Sequence, residues 1–395
     1  ISLLLSLTWF LNTSQACPCG KRDNHHNATI IDRNQTFWRR VRTGTGGGSS
    51  ALPTISDLFT VGDGSTPGGC SDRKTLIDGW IEDALLLHDA VETAYDSFKS
   101  NRCLMLLWVQ FFGIKFNNVA GTVDTDDDVT EILWQSIGKR ISSVSQFLAG
   151  AGLVGSVAPG NPWMFCSEAA GEYTPFDQPI KDEDGSNIAK TVDQNGNPDL
   201  LTLREVFPVQ ASDPRIEAFY IEAFKGYDMD TNGYDTLCGK PSLYAVTARP
   251  LPNNIVEEHV DVVRYNRHIL FCPPTFSPGT GHPHSYPSLS QAVSSDHYPG
   301  DKTGLMLDQY VPVSATFYHE LWHLADPTGI TNDPYCKCFS LLPYYSLSAV
   351  LNAGSRQKGD TYRNPESFVF FAMAAYMYLH PPEGKDAVLF VAGKP

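Results

Sequence analysis

From Thr75 onward, Leu76, Trp80, Ala84, Leu87 and Val91 recur at three- and four-residue intervals with charged side chains between them. On a helix these positions share one face, so the spacing predicts an amphipathic helix to about Phe98 with its apolar stripe against a core. Two further helices are predicted around 101–112 and 129–149, the second carrying Ile132, Leu133, Ser136 and Arg140 at helical spacing. Between about 152 and 236 the periodicity fades into Gly, Pro, Asn and Asp, with one helical island expected near 213–226, and the segment reads as an insertion. β-rich runs follow at 242–247 and 268–272, ahead of a Pro/Gly/His loop over 273–300. The expected class is α+β, mainly helical with a small β-sheet.

The ends and the composition add a cellular context. The chain opens on ISLLLSLTWFLNTSQA, an uncharged apolar run of eleven residues followed by small polar ones. This has the form of a signal peptide over 1–16, truncated at its start, and is too short to span a bilayer. Residues 17–69 hold two sequons, Asn27-Ala-Thr29 and Asn34-Gln-Thr36, and a glycine-rich run, so a flexible glycosylated arm or propeptide is expected before a domain over 70–395. At 395 residues and 42% hydrophobic the chain can bury a large core, and its formal charge of −15 without a Lys/Arg cluster argues against nucleic acid. Nine cysteines suit an oxidising compartment, and their odd number leaves at least one outside intrachain pairs. Asp228-Met-Asp-Thr-Asn-Gly233 begins like a calcium loop, but Gly239 occupies the twelfth position where a bidentate Glu is required, so a solvated turn is expected.

The chemistry concentrates at His319-Glu320-Leu321-Trp322-His323. On a helix starting near Ser314 and ending before Pro327, residues i and i+4 can present two imidazoles to one metal ion, with Glu320 beside them as a general base. A catalytic zinc needs a third protein ligand and an open position. Position 329 is Gly, which removes the metzincin histidine, and Asp326, Asp333 and Glu366 stay open as third ligands.

Gly329-Ile-Thr331-Asn-Asp333-Pro-Tyr335 resembles the Gly-Thr-x-Asp-x-x-Tyr-Gly segment of the Asp-zincin metalloendopeptidases, the fungal secreted deuterolysins and peptidyl-lysine metallopeptidases. Here one residue is added between Gly and Thr, one is lost before the tyrosine, and Cys336 stands where Gly is expected. Gly69-Cys70-Ser71, Ile269–Phe276 and Asn364-Pro-Glu366 are similar to family landmarks in the same order. The resemblance implies a zincin-like domain with one Zn2+ per chain, held by His319, His323 and Asp333, and Glu320 as base. It further implies Tyr335 as the donor to the developing oxyanion, with Tyr318 and Tyr344 as substitutes. Glu366 and Val369 would fall where lysine-specific members place an acidic pair, and with one acid replaced by valine the expectation is broad or mixed cleavage with at most a weak lysine preference. The expectation is a secreted, monomeric zinc endopeptidase acting on proteins or peptides. The rivals are a non-catalytic secreted zinc-binding protein, such as a surface antigen or metal scavenger, and an adhesive glycoprotein.

Overall fold

The structure is a computed structural model that describes residues 52–395 except 118–119, 156–159, 183, 231–232, 241–242, 249–266, 278–283, 285, 300–304, 328–344 and 359. Among the described residues, six helices of nine or more residues carry the main core: α1 (Lys74–Ser97), α2 (Arg102–Phe112), α3 (Asp128–Leu148), α4 (Ala315–Leu324), α5 (Leu347–Ser355) and α6 (Pro365–Leu379). The first three match the predicted helices to within a residue or two. The predicted stripe understates α1, however, because Ile77, Ile81, Leu85, His88 and Asp89 are buried along with Trp80, Ala84, Leu87 and Val91, while Leu76 is exposed. α1 is enclosed by α3, α4 and α6, so more than one of its faces meets a neighbour. On α3 the inward positions are Leu133, Ile137, Arg140, Ile141 and Val144, whereas Ile132 points to solvent.

Helix starts and ends follow local chemistry. Asn101 accepts from the amides of Cys103 and Leu104, and Asp127 accepts from Thr130, each satisfying amides that have no partner within the helix. α2 stops at Gly113, whose φ of 74° is the left-handed conformation that suits a helix C-terminus. α2 and α5 meet closely at Gly354, where a Cβ would stand 2.0 Å from the carbonyl oxygen of Gln110. α6 is apolar almost all round, and its phenylalanines join the other helices: Phe371 meets Trp108 at 3.9 Å between ring centroids, Phe368 meets Phe112 at 4.9 Å, and Phe368 stacks on Trp322 at 3.9 Å.

The strands are β1 (Thr60–Val61), β2 (Phe116–Asn117), β3 (Thr122–Val123), β4 (Trp163–Phe165), β5 (Glu172–Tyr173), β6 (Ala189–Val192), β7 (Pro198–Leu200), β8 (Glu217–Ile221), β9 (Gly226–Asp230), β10 (Ala245–Ala248) and β11 (His268–Phe271). The central sheet has the order β1-β4-β11-β10, parallel except for the antiparallel edge strand β10. One face, with Met164, Ile269 and Phe271, joins the helical core. The other, with Phe165 and Leu270, joins a smaller core with Phe219, Ile221 and Phe224. Burial on both faces explains why 268–271 reads as an unbroken apolar run instead of an alternating one.

Four expectations are corrected. Residues 52–69 are not the end of a mobile arm: Ile55, Leu58 and Phe59 are buried in the helical core, and β1 pairs with β4. The expected insertion does not begin at 152, because β4 is an interior strand of the central sheet. What lies outside the helical body is the β-rich layer that follows, with the sheet β5-β8-β9, the hairpin β6-β7 and a small core around Phe176, Leu203, Phe207 and Tyr227. Within it the expected helical island near 213–226 is instead the hairpin of β8 and β9, joined through a 3-10 turn over Glu222–Phe224. Asp228, expected in a solvated turn, lies in β9 with its Oδ2 3.2 Å from Nε2 of the buried His268.

Disulfides join Cys70 to Cys166, tying the approach to α1 to the end of β4, and Cys238 to Cys272 at the end of β11. Cys103 is also disulfide-bonded, and its partner lies outside the described residues. No helix among the described residues is long and apolar enough to cross a membrane.

Candidate functional site

α4 carries the His-Glu-Leu-Trp-His run, and its entry and exit are both anchored by side chains from other elements. At its start the Ser314 hydroxyl donates to Asp83 Oδ2 of α1 at 2.6 Å, and the amide of Leu289 donates to the same oxygen at 2.8 Å. Burial raises the Asp83 carboxyl above the ordinary aspartate value, and the two hydrogen bonds oppose that shift. At the other end Arg267 Nη1 donates to the carbonyl of Leu324 at 3.0 Å, satisfying a terminal acceptor with a cation where the helix dipole favours one. Leu321 and Trp322 are buried in the core, which turns the two histidines to the remaining side.

His319 and His323 are nearly buried, at 8% and 9% exposure, and their ring centroids are 5.1 Å apart. His319 Nδ1 lies 2.9 Å from Oε2 of Glu366, in the first turn of α6. Glu320 accepts at Oε2 from the Thr247 hydroxyl of β10 at 2.6 Å. Thr247 pairs with Ile269 across the sheet and so shares the face turned to the helices. The half-exposed Tyr345 has its ring 6.1 Å from that of His319. Sequence reasoning passed over Tyr345 and Thr247, because nothing in their own spacing marks them; only the packing of β10 and of the residues just before α5 beside α4 does.

The third-ligand candidates separate on geometry. Asp326 Oδ2 is 3.0 Å from Arg140 Nη1, with both side chains buried at 2% and 8% exposure. Its charge is therefore already matched by a cation. Glu366 meets His319 through its Nδ1. Asp333 and Tyr335, with the substitute Tyr344, lie outside the described residues, and no group of three metal-capable side chains occurs among the described ones.

Two expected roles do not fit their positions. Val369, read as a wall of a substrate pocket, is 1% exposed and belongs to the helical core, because α6 buries nearly its whole circumference. Tyr318, read as a substitute oxyanion donor, points away from the histidines: it is fully buried, with its hydroxyl 3.1 Å from His88 Nδ1. Burial drives the Tyr318 phenol well above its ordinary value and holds His88 down to about 3, so both are neutral groups of the core. His88 Nε2 continues the chain to Ser145 at 2.9 Å, and the Ser145 hydroxyl donates to Glu92.

A separate cavity of about 620 Å3 opens beside the Cys70–Cys166 disulfide, lined by Asp63, Thr66, Ser71, Arg73, Ser167 and Phe276 among others. No residue of the His-Glu-Leu-Trp-His run lines it, so the chemistry of the side chains, not the size of a hollow, identifies the candidate site.

The chain is similar to a protein of Penicillium expansum described as "Non-secreted LysM effector LysM17", with 34% identity over 135 residues, which cover 33% of this chain and 18% of that one. The chain thus spans well under a quarter of that relative's length. No family model and no solved structure matches the chain.

Proposed function

We propose that the protein is a zinc-dependent endopeptidase, in which His319, His323 and Asp333 hold one Zn2+ and Glu320 is the general base. The observation that carries this reading is the pair of adjacent imidazoles on one side of α4, with Nδ1 of His319 turned to the Glu366 carboxylate. The donor chemistry fits zinc, as two imidazoles and one carboxylate are a common catalytic set. A bound zinc ion would supply Lewis acidity towards water and a peptide carbonyl. Glu320 takes the proton from water and returns it to the leaving amine. Thr247, by donating to Oε2, orients the carboxylate so that Oε1 carries that proton. Tyr335 would donate to the developing oxyanion.

Extracellular action is part of the proposal, and the disulfides Cys70–Cys166 and Cys238–Cys272 support an oxidising compartment. The name of the Penicillium protein calls that protein a non-secreted effector. It contributes nothing on peptide hydrolysis. The second reading, a zinc-binding protein without catalysis, draws on the hydrogen bond that already occupies one oxygen of Glu320.

Metal analysis of the purified chain, paired with casein cleavage with and without a chelator, separates the two. The expected result is one zinc per chain and chelator-sensitive cleavage. Glu320→Gln should lower cleavage by about 10²–10⁴-fold, the usual range for a positioned acid–base group, while zinc content is unchanged. Zinc without cleavage would favour the second reading, and absence of zinc would remove both. Asp333→Ala should empty the metal position, whereas Asp326→Ala should leave zinc bound in the fraction that folds.

A further inference from the structure

The acid of Asn364-Pro-Glu366 was expected to meet substrate, but its carboxylate is turned to a histidine 47 residues earlier in the chain. The contact is built from α6 itself. Pro365 opens the helix, the Asn364 side chain accepts from the amide of Glu366 at 3.3 Å, and Glu366 sits in the first turn. There its negative charge lies at the favourable end of the helix dipole. The residue is 8% exposed, and the helix behind it is locked by Phe368 stacking on Trp322 of α4. The carboxylate is thus fixed relative to the helix that carries both histidines.

An ionised carboxylate can only accept, so Nδ1 of His319 must be the protonated nitrogen. A neutral imidazole then has its lone pair on Nε2. We propose that Glu366 is the positioning residue of the metal centre, selecting the Nδ1–H tautomer of His319 and aiming Nε2 at the metal. The inference rests on the zinc reading above and deepens it. A carboxylate behind a ligating imidazole fixes ring orientation and makes the ligand more basic. It also has a consequence for substrate choice: with Glu366 spent on His319 and Val369 inside the core, this segment offers no carboxylate to a lysine ammonium. Cleavage before lysine should therefore not be favoured.

The test uses the full chain as wild type, Glu366→Gln, Glu366→Ala and His319→Ala. Zinc affinity is measured by competition with a chromophoric chelator, and the histidine tautomers of the metal-free protein by long-range 1H–15N NMR, with His319→Ala assigning the signal. The expectation is an Nδ1–H His319 in the wild type and zinc binding 10–100-fold weaker in Glu366→Ala. Glu366→Gln, whose amide oxygen still accepts, should lose less and should keep the tautomer. Circular dichroism identifies any variant that has not folded, and Glu366→Gln then carries the comparison. If the wild type binds one zinc and both Glu366 variants bind it equally well, the positioning role is overturned and the zinc reading stands. If the wild type binds no zinc, the zinc reading fails, and an Nε2–H tautomer in the same spectra would overturn the geometric assignment as well.

Discussion

The helical body and the β-rich layer use the same polar chemistry in opposite ways. In the layer, Lys190 pairs with Glu205 at 2.8 Å and Arg215 with Asp213 at 2.6 Å, with the Arg215 side chain 79% exposed. Asp182 and Asp193 accept amides within their own turns. These contacts stay within the layer, the two aspartates shaping local turns, and water screens them. In the helical body the polar contacts are buried and join distant elements: Asp83 to the start of α4, His88 to Tyr318, Arg140 to Asp326 just past its end, Glu366 to His319. Each of these four contacts holds α4 or the residue just beyond its C-terminus. A buried polar group left without its partner is costly, so such links define one pose of the candidate site in a way that surface pairs cannot.

The contrast should be sharpest at low pH. His88 is held at about 3 against an ordinary value of 6.5, mainly by burial, so the unfolded chain takes up this proton first. Stability is then fully present above pH 6.5 and lost as pH falls towards 3, by up to about 4–5 kcal/mol at the rate of one pKa unit per 1.36 kcal/mol. Denaturant titrations between pH 7 and pH 3.5 should show this slope, and His88→Gln should flatten it. An unchanged slope would assign acid sensitivity elsewhere.

Breaking the buried pair comes next. Arg140→Met removes the cation beside the buried Asp326 carboxylate and should cost about 3–5 kcal/mol, whereas removing both charges with apolar residues of similar volume should recover much of that loss. Chemical denaturation of the single and double variants checks it. Parallel losses in both would mean that packing of Arg140 over the Tyr362 ring, 5.2 Å away, matters more than its charge.

Asp89 of α1 gives a change of opposite sign. Burial raises its carboxyl to about 6, so the folded state binds this proton more tightly than the unfolded chain. Stability therefore falls as pH rises from about 4 to 6, and the full cost is present above that window. Asp89→Asn should stabilise the protein at pH 7.5 by about 2–3 kcal/mol and have little effect at pH 3.5. Melting curves at the two pH values would show the difference, and equal shifts at both would rule out ionisation as the cause.

The smallest effect belongs to the layer. Arg215→Ala and Val192→Ser, at a surface pair and on an exposed hairpin strand, should each move stability by no more than about 0.5–1 kcal/mol and leave zinc affinity unchanged. A change in metal affinity from either would mean that these surface positions of the layer act on the proposed site.

Local pattern determined a definite part of this protein. The 3.6-residue period marked α1, α2 and α3, the run from Ser314 to Pro327 placed α4, and the i, i+4 spacing put His319 and His323 on one face, because helical geometry converts sequence separation directly into direction. Short apolar runs carry no such period, so Glu217–Ile221 was open to a helical reading until its pairing with β9 made it a strand. β4 and residues 52–69 carry no strand signal of their own, because a two- or three-residue strand becomes recognisable only beside its partners. The roles of Glu366, Asp326, Val369 and Tyr318 were decided by tertiary structure alone. A carboxylate or an aromatic ring has the same letter wherever it sits, and only the packing of α6, α3 and α1 around α4 determines whether it meets a histidine, an arginine or the core.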